Sequence, residues 1–207
     1  MSRLTGSRVM TFMDRESELA LVVRLRAADP DAFDDVYNEF NPRLFSFLAR
    51  LSRSRHVAED LLEETWLRFV AHMPRLRPDT RLGPWLFTVA RNLHVSYCRS
   101  RLIEDCCAAG LIGLWPCGSI APSPFEFTLA GETGRRLEAA IAALPVAGRE
   151  AVLLVALEGL KPAEAAEVCG ISPEALRQRL SRARALLAQA LDDSERRALK
   201  RLEEATT

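Results

Sequence analysis

A net charge is missing from this chain: 28 lysines and arginines balance 28 aspartates and glutamates over 207 residues. No global positive field draws it toward a polyanion, so any such attraction needs segregated charge or a partner that supplies affinity. Lysine is nearly absent as well; Lys161 and Lys200 are the only two, and the remaining positive charge is arginine. Long apolar runs are lacking. Ala151–Leu157 falls far short of the roughly 20 residues a membrane-spanning helix needs. With no secretory signal in sight, a cytoplasmic protein without membrane insertion is expected. The 5 cysteines show no Cys-x-x-Cys spacing, which argues against structural zinc. His94 and Cys98 lie one helical turn apart, but two ligands without a nearby third point to packing. Adjacent Cys106 and Cys107 would sense oxidants only with a lowered pKa and exposure. There is no nucleophile–base pairing, phosphate loop or metal constellation, so no catalytic residue, metal or cofactor is predicted and an enzyme is not expected. Strand-turn-strand signals and internal repeats are also lacking.

What the chain has is helical periodicity from end to end. A first helix is predicted over about Ser17 to Ala28. Asp29-Pro30 then supplies a cap and a first-turn proline for a second, whose apolar positions include Phe33, Val36, Phe40, Leu44, Phe47 and Leu51. Pro42 is expected to kink or split it. A third helix is predicted over about Val57 to Met73, and a fourth from Gly83-Pro84 to about Arg101, with a loop from Pro74 to Gly83 between them. From Leu102 to Gly131, glycines and prolines accumulate, as in an interdomain linker. Its apolar cluster Leu111–Trp115 is unusual for a free linker. Helices resume over about Thr133 to Leu144, Val146 to Leu157, Pro162 to Val168 and Ser172 to Leu191.

The stretch from Lys161 to Leu187 is the most informative. A short helix ends at Gly170, which can adopt the left-handed conformation that side chains with a Cβ resist. Ser172 caps the next helix and Pro173 fits its first turn. Leu176, Leu180, Ala183 and Leu187 fall on one side of the wheel, and Arg177, Gln178, Ser181 and Arg182 on the other. Arginine and glutamine suit bidentate contacts with guanine and adenine, and serine suits base or phosphate. This is the layout of a helix-turn-helix that lays its second helix in a DNA major groove. The same segment also fits an amphipathic helix with a solvated arginine face in an ordinary bundle.

Three stretches in order resemble the bacterial sigma-70 family, in its compact extracytoplasmic-function group with only regions two and four. Val57-Ala58-Glu59-Asp60-Leu61-Leu62-Glu63-Glu64-Thr65-Trp66-Leu67 resembles the core-binding helix of region two. Trp85-Leu86-Phe87-Thr88-Val89-Ala90-Arg91-Asn92 resembles the promoter-melting helix. Ala143-Leu144-Pro145 through Arg184 resembles region four, including the ending Leu180-Ser181-Arg182-Ala183-Arg184. The resemblance spans about Leu19 to Leu191 apart from the linker. It departs where Glu63 replaces a usual glutamine, where Pro162 and Ala163 replace a hydroxyl residue and a tyrosine, and at Pro173-Glu174-Ala175.

The resemblance implies an all-α fold of two small helical domains joined by a flexible linker. The expected division is a disordered N-terminus at 1–14, region two at 15–101, a linker at 102–131, region four at 132–192 and a tail at 193–207. Asp60, Leu61, Glu63, Glu64 and Trp66 would bind core RNA polymerase, on the clamp helices of its large subunit, with further contact to the flap. On spacing alone, Asp60, Glu63 and Glu64 share a face that equally fits a solvated acidic surface. Arg75, Arg77, Arg81, Arg91, Asn92 and Arg99 would engage the minus-ten element, the loop from Pro74 to Gly83 helping to hold a base flipped from the non-template strand. Trp85 is assigned to the core rather than to a stacking platform. Arg177, Gln178, Ser181 and Arg182, with Arg184 near phosphate, would read the minus-thirty-five element. The implied activity is promoter-directed transcription initiation with melting of the minus-ten element, and the implied partners are core polymerase, promoter DNA and an anti-sigma factor. Neutral charge then fits weak intrinsic DNA affinity that polymerase makes useful by holding both domains at the right separation. Two rivals remain: a stand-alone helix-turn-helix regulator that binds a palindrome unaided, and a sigma-like decoy that sequesters an anti-sigma factor.

Overall fold

A computed structural model describes residues 15–108 and 131–205, with side chains at 15–103 and 131–193. The expected N-terminal segment 1–14, the cluster Leu111–Trp115 and the side chains of Cys106 and Cys107 lie outside these. Among the described residues there are eight α-helices and no strand. They are α1 (Arg15–Arg26), α2 (Pro30–Ser52), α3 (Arg55–His72), α4 (Leu82–Ala108), α5 (Glu132–Ala143), α6 (Val146–Val152), α7 (Pro162–Cys169) and α8 (Pro173–Ala205).

Local chemistry sets the boundaries. Asp29 accepts from the Asp31 N–H at 3.1 Å and Pro30 opens α2, as the Asp-Pro pair predicts. Ser54 caps α3 through the Val57 N–H, and Pro74 ends it in a single 3-10 turn, Met73–Arg75. The start of α4 is held from a distance: the buried Glu18 on α1 accepts the Leu82 N–H at 2.7 Å, placing a carboxylate at a helix N-terminus.

Two expectations need adjustment. Pro42 does not split α2, which runs unbroken from Pro30 to Ser52. Pro42 faces solvent, so the carbonyl that loses its helical partner can be hydrated, while buried Phe40, Arg43 and Leu44 hold the helix on either side. Helix α4 continues past Arg101 to Ala108, into the stretch assigned to the linker. The tail extends α8, which ends at Ala205. The segment after α6 is wound more loosely than an α-helix: Leu153–Leu157 forms a π-helical turn.

Helices α1–α4 pack around Val22, Leu25, Val36, Leu44, Phe47, Phe69 and Phe87. An aromatic chain ties α2 to α3 and α4, with ring centroids of Phe33–Trp66 at 5.9 Å, Trp66–Phe69 at 5.7 Å and Phe69–Trp85 at 5.7 Å. Helices α5–α8 pack around Ile141, Leu154, Leu160, Ala166, Leu176 and Leu180. Gly148 lets α6 approach α8 closely, since a Cβ there would stand 3.3 Å from the Ala183 Cβ. The two groups are not apart: α7 packs on α4 and α6 touches α2.

Candidate nucleic-acid interface

The turn before α8 is built as its sequence requires. Gly170 adopts φ 64° and donates its N–H to the carbonyls of Ala166 and Glu167, while the Ile171 N–H reaches Ala166 at 3.0 Å. The Ser172 hydroxyl accepts from the Ala175 N–H at 3.2 Å, which caps α8. Leu176, Leu180 and Ala183 are buried, so the helix is pinned by that stripe. Arg177, Gln178, Ser181, Arg182 and Arg184 are therefore all exposed on its outer face. Glu174 shares this face, pairing with Arg177 at 2.6 Å, and its pKa is lowered by its own backbone N–H and then by Arg177. Arg182 donates to Gln178 at 3.4 Å, so this outer face carries a network of its own side chains.

The residues expected at the minus-ten element are scattered over a loop and one helix, and their partners differ. Arg75, Arg77 and Arg99 are exposed, with Arg77 3.3 Å from Asp79. Asn92 is exposed and accepts from Arg91 at 3.4 Å. Arg81 and Arg91 instead reach the second domain: Arg81 pairs with Glu164 on α7, and Arg91 Nε donates to Glu150 on α6 at 2.7 Å. Trp85 is half-buried against the core, with the His72 ring stacked on it at 5.2 Å.

On α3 the structure separates residues the sequence grouped. Asp60, Glu63 and Glu64 lie on the outward side, with Asp60 3.7 Å from His56 and Glu64 2.8 Å from Arg68. Leu61 and Trp66 turn inward and are buried; Trp66 Nε1 donates to Asn41 at 3.0 Å. Leu67 and Val70, 60% and 48% exposed, give this helix its outward apolar area. They continue the line of Asp60 and Glu63 at helical spacing. The sequence signal for them was the same wheel, extended two turns beyond the acidic residues.

Sequence reasoning also missed a set of charges inside the molecule. Arg43, Arg149, Glu150, Glu158 and Glu164 are buried, and Arg50 and Glu138 nearly so. Arg149 donates to the carbonyls of Leu51, Ala142 and Leu144 at 3.2, 2.7 and 2.9 Å. Burial pushes Glu158 up to about 7 against the pull of Arg43, and Cys169 up to about 12. His94 is held down to about 4 by burial and by Arg149 and Arg91, and its Nε2 lies 3.6 Å from the Cys98 sulfur. The two neighbouring arginines disfavour a cation there.

Comparison with known proteins agrees with this division. The family profile Sigma-70 region 2 matches residues 36–102, and the profile Sigma-70, region 4 matches residues 134–187. The chain is 36% identical to RNA polymerase sigma factor CarQ of Myxococcus xanthus over 172 residues, covering 83% of this chain and 96% of that protein. It is 34% identical to ECF RNA polymerase sigma factor EcfG of Rhodopseudomonas palustris, covering 72% and 80%. Among solved structures it resembles the sigma factor RpoE from Bartonella quintana in complex with the anti-sigma factor NepR, with TM-score 0.64 and 28% identity over 77% of this chain and 96% of that one. Two helical bodies matching regions two and four, and likeness to such proteins over most of their length, make this chain a member of the extracytoplasmic-function group of the sigma-70 family of RNA polymerase sigma factors.

Proposed function

We infer that this chain binds core RNA polymerase and directs it to promoters, α8 reading the minus-thirty-five element and the Pro74–Gly83 loop with α4 engaging and helping to melt the minus-ten element. The observation that carries this reading is the outer face of α8, where Arg177, Gln178, Ser181, Arg182 and Arg184 are all presented while Leu176, Leu180 and Ala183 are buried. Side chains of these types at this spacing form bidentate contacts with purine edges. Arg75, Arg77 and Arg99, exposed on the loop and α4, suit capture of single-strand phosphates. The outward side of α3, with Asp60, Glu63, Leu67 and Val70, joins acidic charge to exposed apolar area and suits a basic-rimmed polymerase clamp surface. The polymerase performs the bond-making chemistry. The relative RpoE is in complex with an anti-sigma factor, which supports an anti-sigma partner for this chain as well.

The test is a pull-down with core polymerase followed by sequencing of the DNA retained. Recovery of a two-element promoter only with polymerase present is expected. Sequence-specific capture of a palindrome by the chain alone would select a stand-alone regulator. Binding to an anti-sigma factor but not to core polymerase would select a decoy.

A further inference from the structure

The region two profile begins at residue 36, which leaves α1 outside it. Yet α1 grips the loop ahead of α4 at two points. The buried Glu18 accepts the Leu82 N–H on Oε1 at 2.7 Å and the Arg15 guanidinium on Oε2 at 2.9 Å. The second terminal nitrogen of Arg15 donates to the Asp79 carbonyl at 2.7 Å. One relay therefore runs from the Leu82 amide through Glu18 and Arg15 to the Asp79 carbonyl, bracketing residues 79–82. Each of its ends lies 64 residues in sequence from its partner on α1. Leu76 and Leu82 are buried on either side, and the Thr80 N–H closes a turn on the Arg77 carbonyl at 3.0 Å. Around these anchors Arg75, Arg77, Pro78, Asp79 and Arg81 are exposed.

The identity of Arg81 explains why the cap comes from so far away. The Trp85 N–H donates to the Arg81 carbonyl at 3.0 Å, which puts Arg81 at the N-cap position of α4. Arginine has no side-chain oxygen to accept an orphan amide. Glu18 supplies that oxygen, and the Arg81 side chain reaches outward instead. Arg15 in turn holds a backbone carbonyl, so the relay sets the path of the loop independently of the side chains the loop presents. Exposed loops with few buried contacts open at little cost. A pocket for a flipped base needs its walls fixed beforehand, because ordering them on binding subtracts from affinity and blurs the distinction between bases.

We propose that α1 is part of the minus-ten site: Glu18 and Arg15, neither of them touching DNA, are positioning residues that hold residues 79–82 in the base-accepting shape and thereby set base selectivity. Their role in selectivity rests on the minus-ten reading of the loop; the relay itself does not.

The experiment uses the full chain bound to core polymerase and fork-junction probes made from the promoter recovered by the pull-down. Each base is placed in turn at every single-stranded minus-ten position, and 2-aminopurine at the same positions reports unstacking by its fluorescence. R15A, a change at a half-exposed side chain, is expected to lower discrimination about tenfold at the position the loop selects. The 2-aminopurine signal should fall there, while the urea midpoint, core binding and minus-thirty-five duplex binding stay unchanged. E18Q keeps an oxygen for the Leu82 N–H but sets an amide nitrogen against Arg15. It is expected to match R15A in discrimination while the Leu82 amide stays protected from hydrogen exchange. E18A is expected to lose both, and R15A/E18A to discriminate no worse than E18A, because both changes release the same loop. Should E18A not fold, R15A and E18Q decide. Unchanged discrimination in R15A or in E18Q, or a loss spread evenly over all minus-ten positions and core binding, would overturn the positioning role. Wild-type protein that binds core polymerase yet prefers no base at any minus-ten position would instead remove the minus-ten reading beneath it.

Discussion

Two arginine-bearing surfaces of this molecule face nucleic acid in the same proposed complex, yet their surroundings differ. On α8, Arg177 and Arg182 are exposed and meet near neighbours on their own helix, Glu174 and Gln178. On the loop and α4, Arg81 and Arg91 are tied to Glu164 and Glu150 of the other domain. An exposed pair between neighbours on one helix contributes little and gives way readily to a phosphate. A pair whose carboxylate is enclosed by a second domain gives way only if the domains part. Residue type and spacing say which side chains can meet DNA; tertiary placement says when.

The outer face of α8 rests on what lies buried beneath it. Leu176 is fully buried beneath α8, so Leu176→Ala is expected to cost about 2–5 kcal/mol of stability. Urea denaturation checks this, with Arg177→Ala as the contrast, its midpoint unchanged because that side chain is exposed. Equal midpoints for the two variants would erase the distinction between the buried stripe and the outer face.

The domain boundary carries two opposed pH slopes. His94, depressed from 6.5 to about 4, contributes stability above its unfolded value that is lost as pH falls toward 4. Glu158, raised from 4.5 to about 7, contributes stability that is full below 4.5 and lost as pH rises through about 7. Over their common window the two slopes have opposite signs. Glu158→Gln is expected to leave stability rising with pH from about 4 to 6.5, and His94→Gln to leave it falling from about 4.5 to 7. Denaturation across this range checks both signs; parallel profiles for the two variants would contradict them.

Smaller effects separate reading from support on α8. Arg177→Ala is expected to relax specificity at one base position with a loss of about 1–3 kcal/mol, read by affinity across a panel of upstream sequences in the polymerase complex. A uniform loss would make it a phosphate contact. Ser172→Ala removes the cap bond to Ala175 and is expected to cost about 1 kcal/mol of stability with no change in sequence preference.

Much of this was legible in the chain. Gly170, Ser172 and the stripe of Leu176, Leu180 and Ala183 predict the turn, the cap and the outward face of α8, because each acts over one or two helical turns. The same local logic gives Asp29-Pro30 and the stop at Pro74. The wheel could not rank apolar residues on α3, where Trp66 is drawn inward by Phe33, Phe69 and its bond to Asn41 while Leu67 is left outside. The junction between the two helical groups was the least visible. Its partners stand as far apart in sequence as Arg43 and Glu158, so no local pattern pairs them. A signal existed all the same: Arg43 occupies the apolar stripe of Val36, Phe40 and Phe47, a position where a charge must find an opposite one.

Transcription reconstituted from purified core polymerase, this protein and the promoter recovered by pull-down tests the central claim most directly. A run-off transcript from one defined start is expected only when the protein is added, and it should disappear when either promoter element is scrambled. The same transcript from core polymerase alone, or none under any condition despite binding to core, would contradict it.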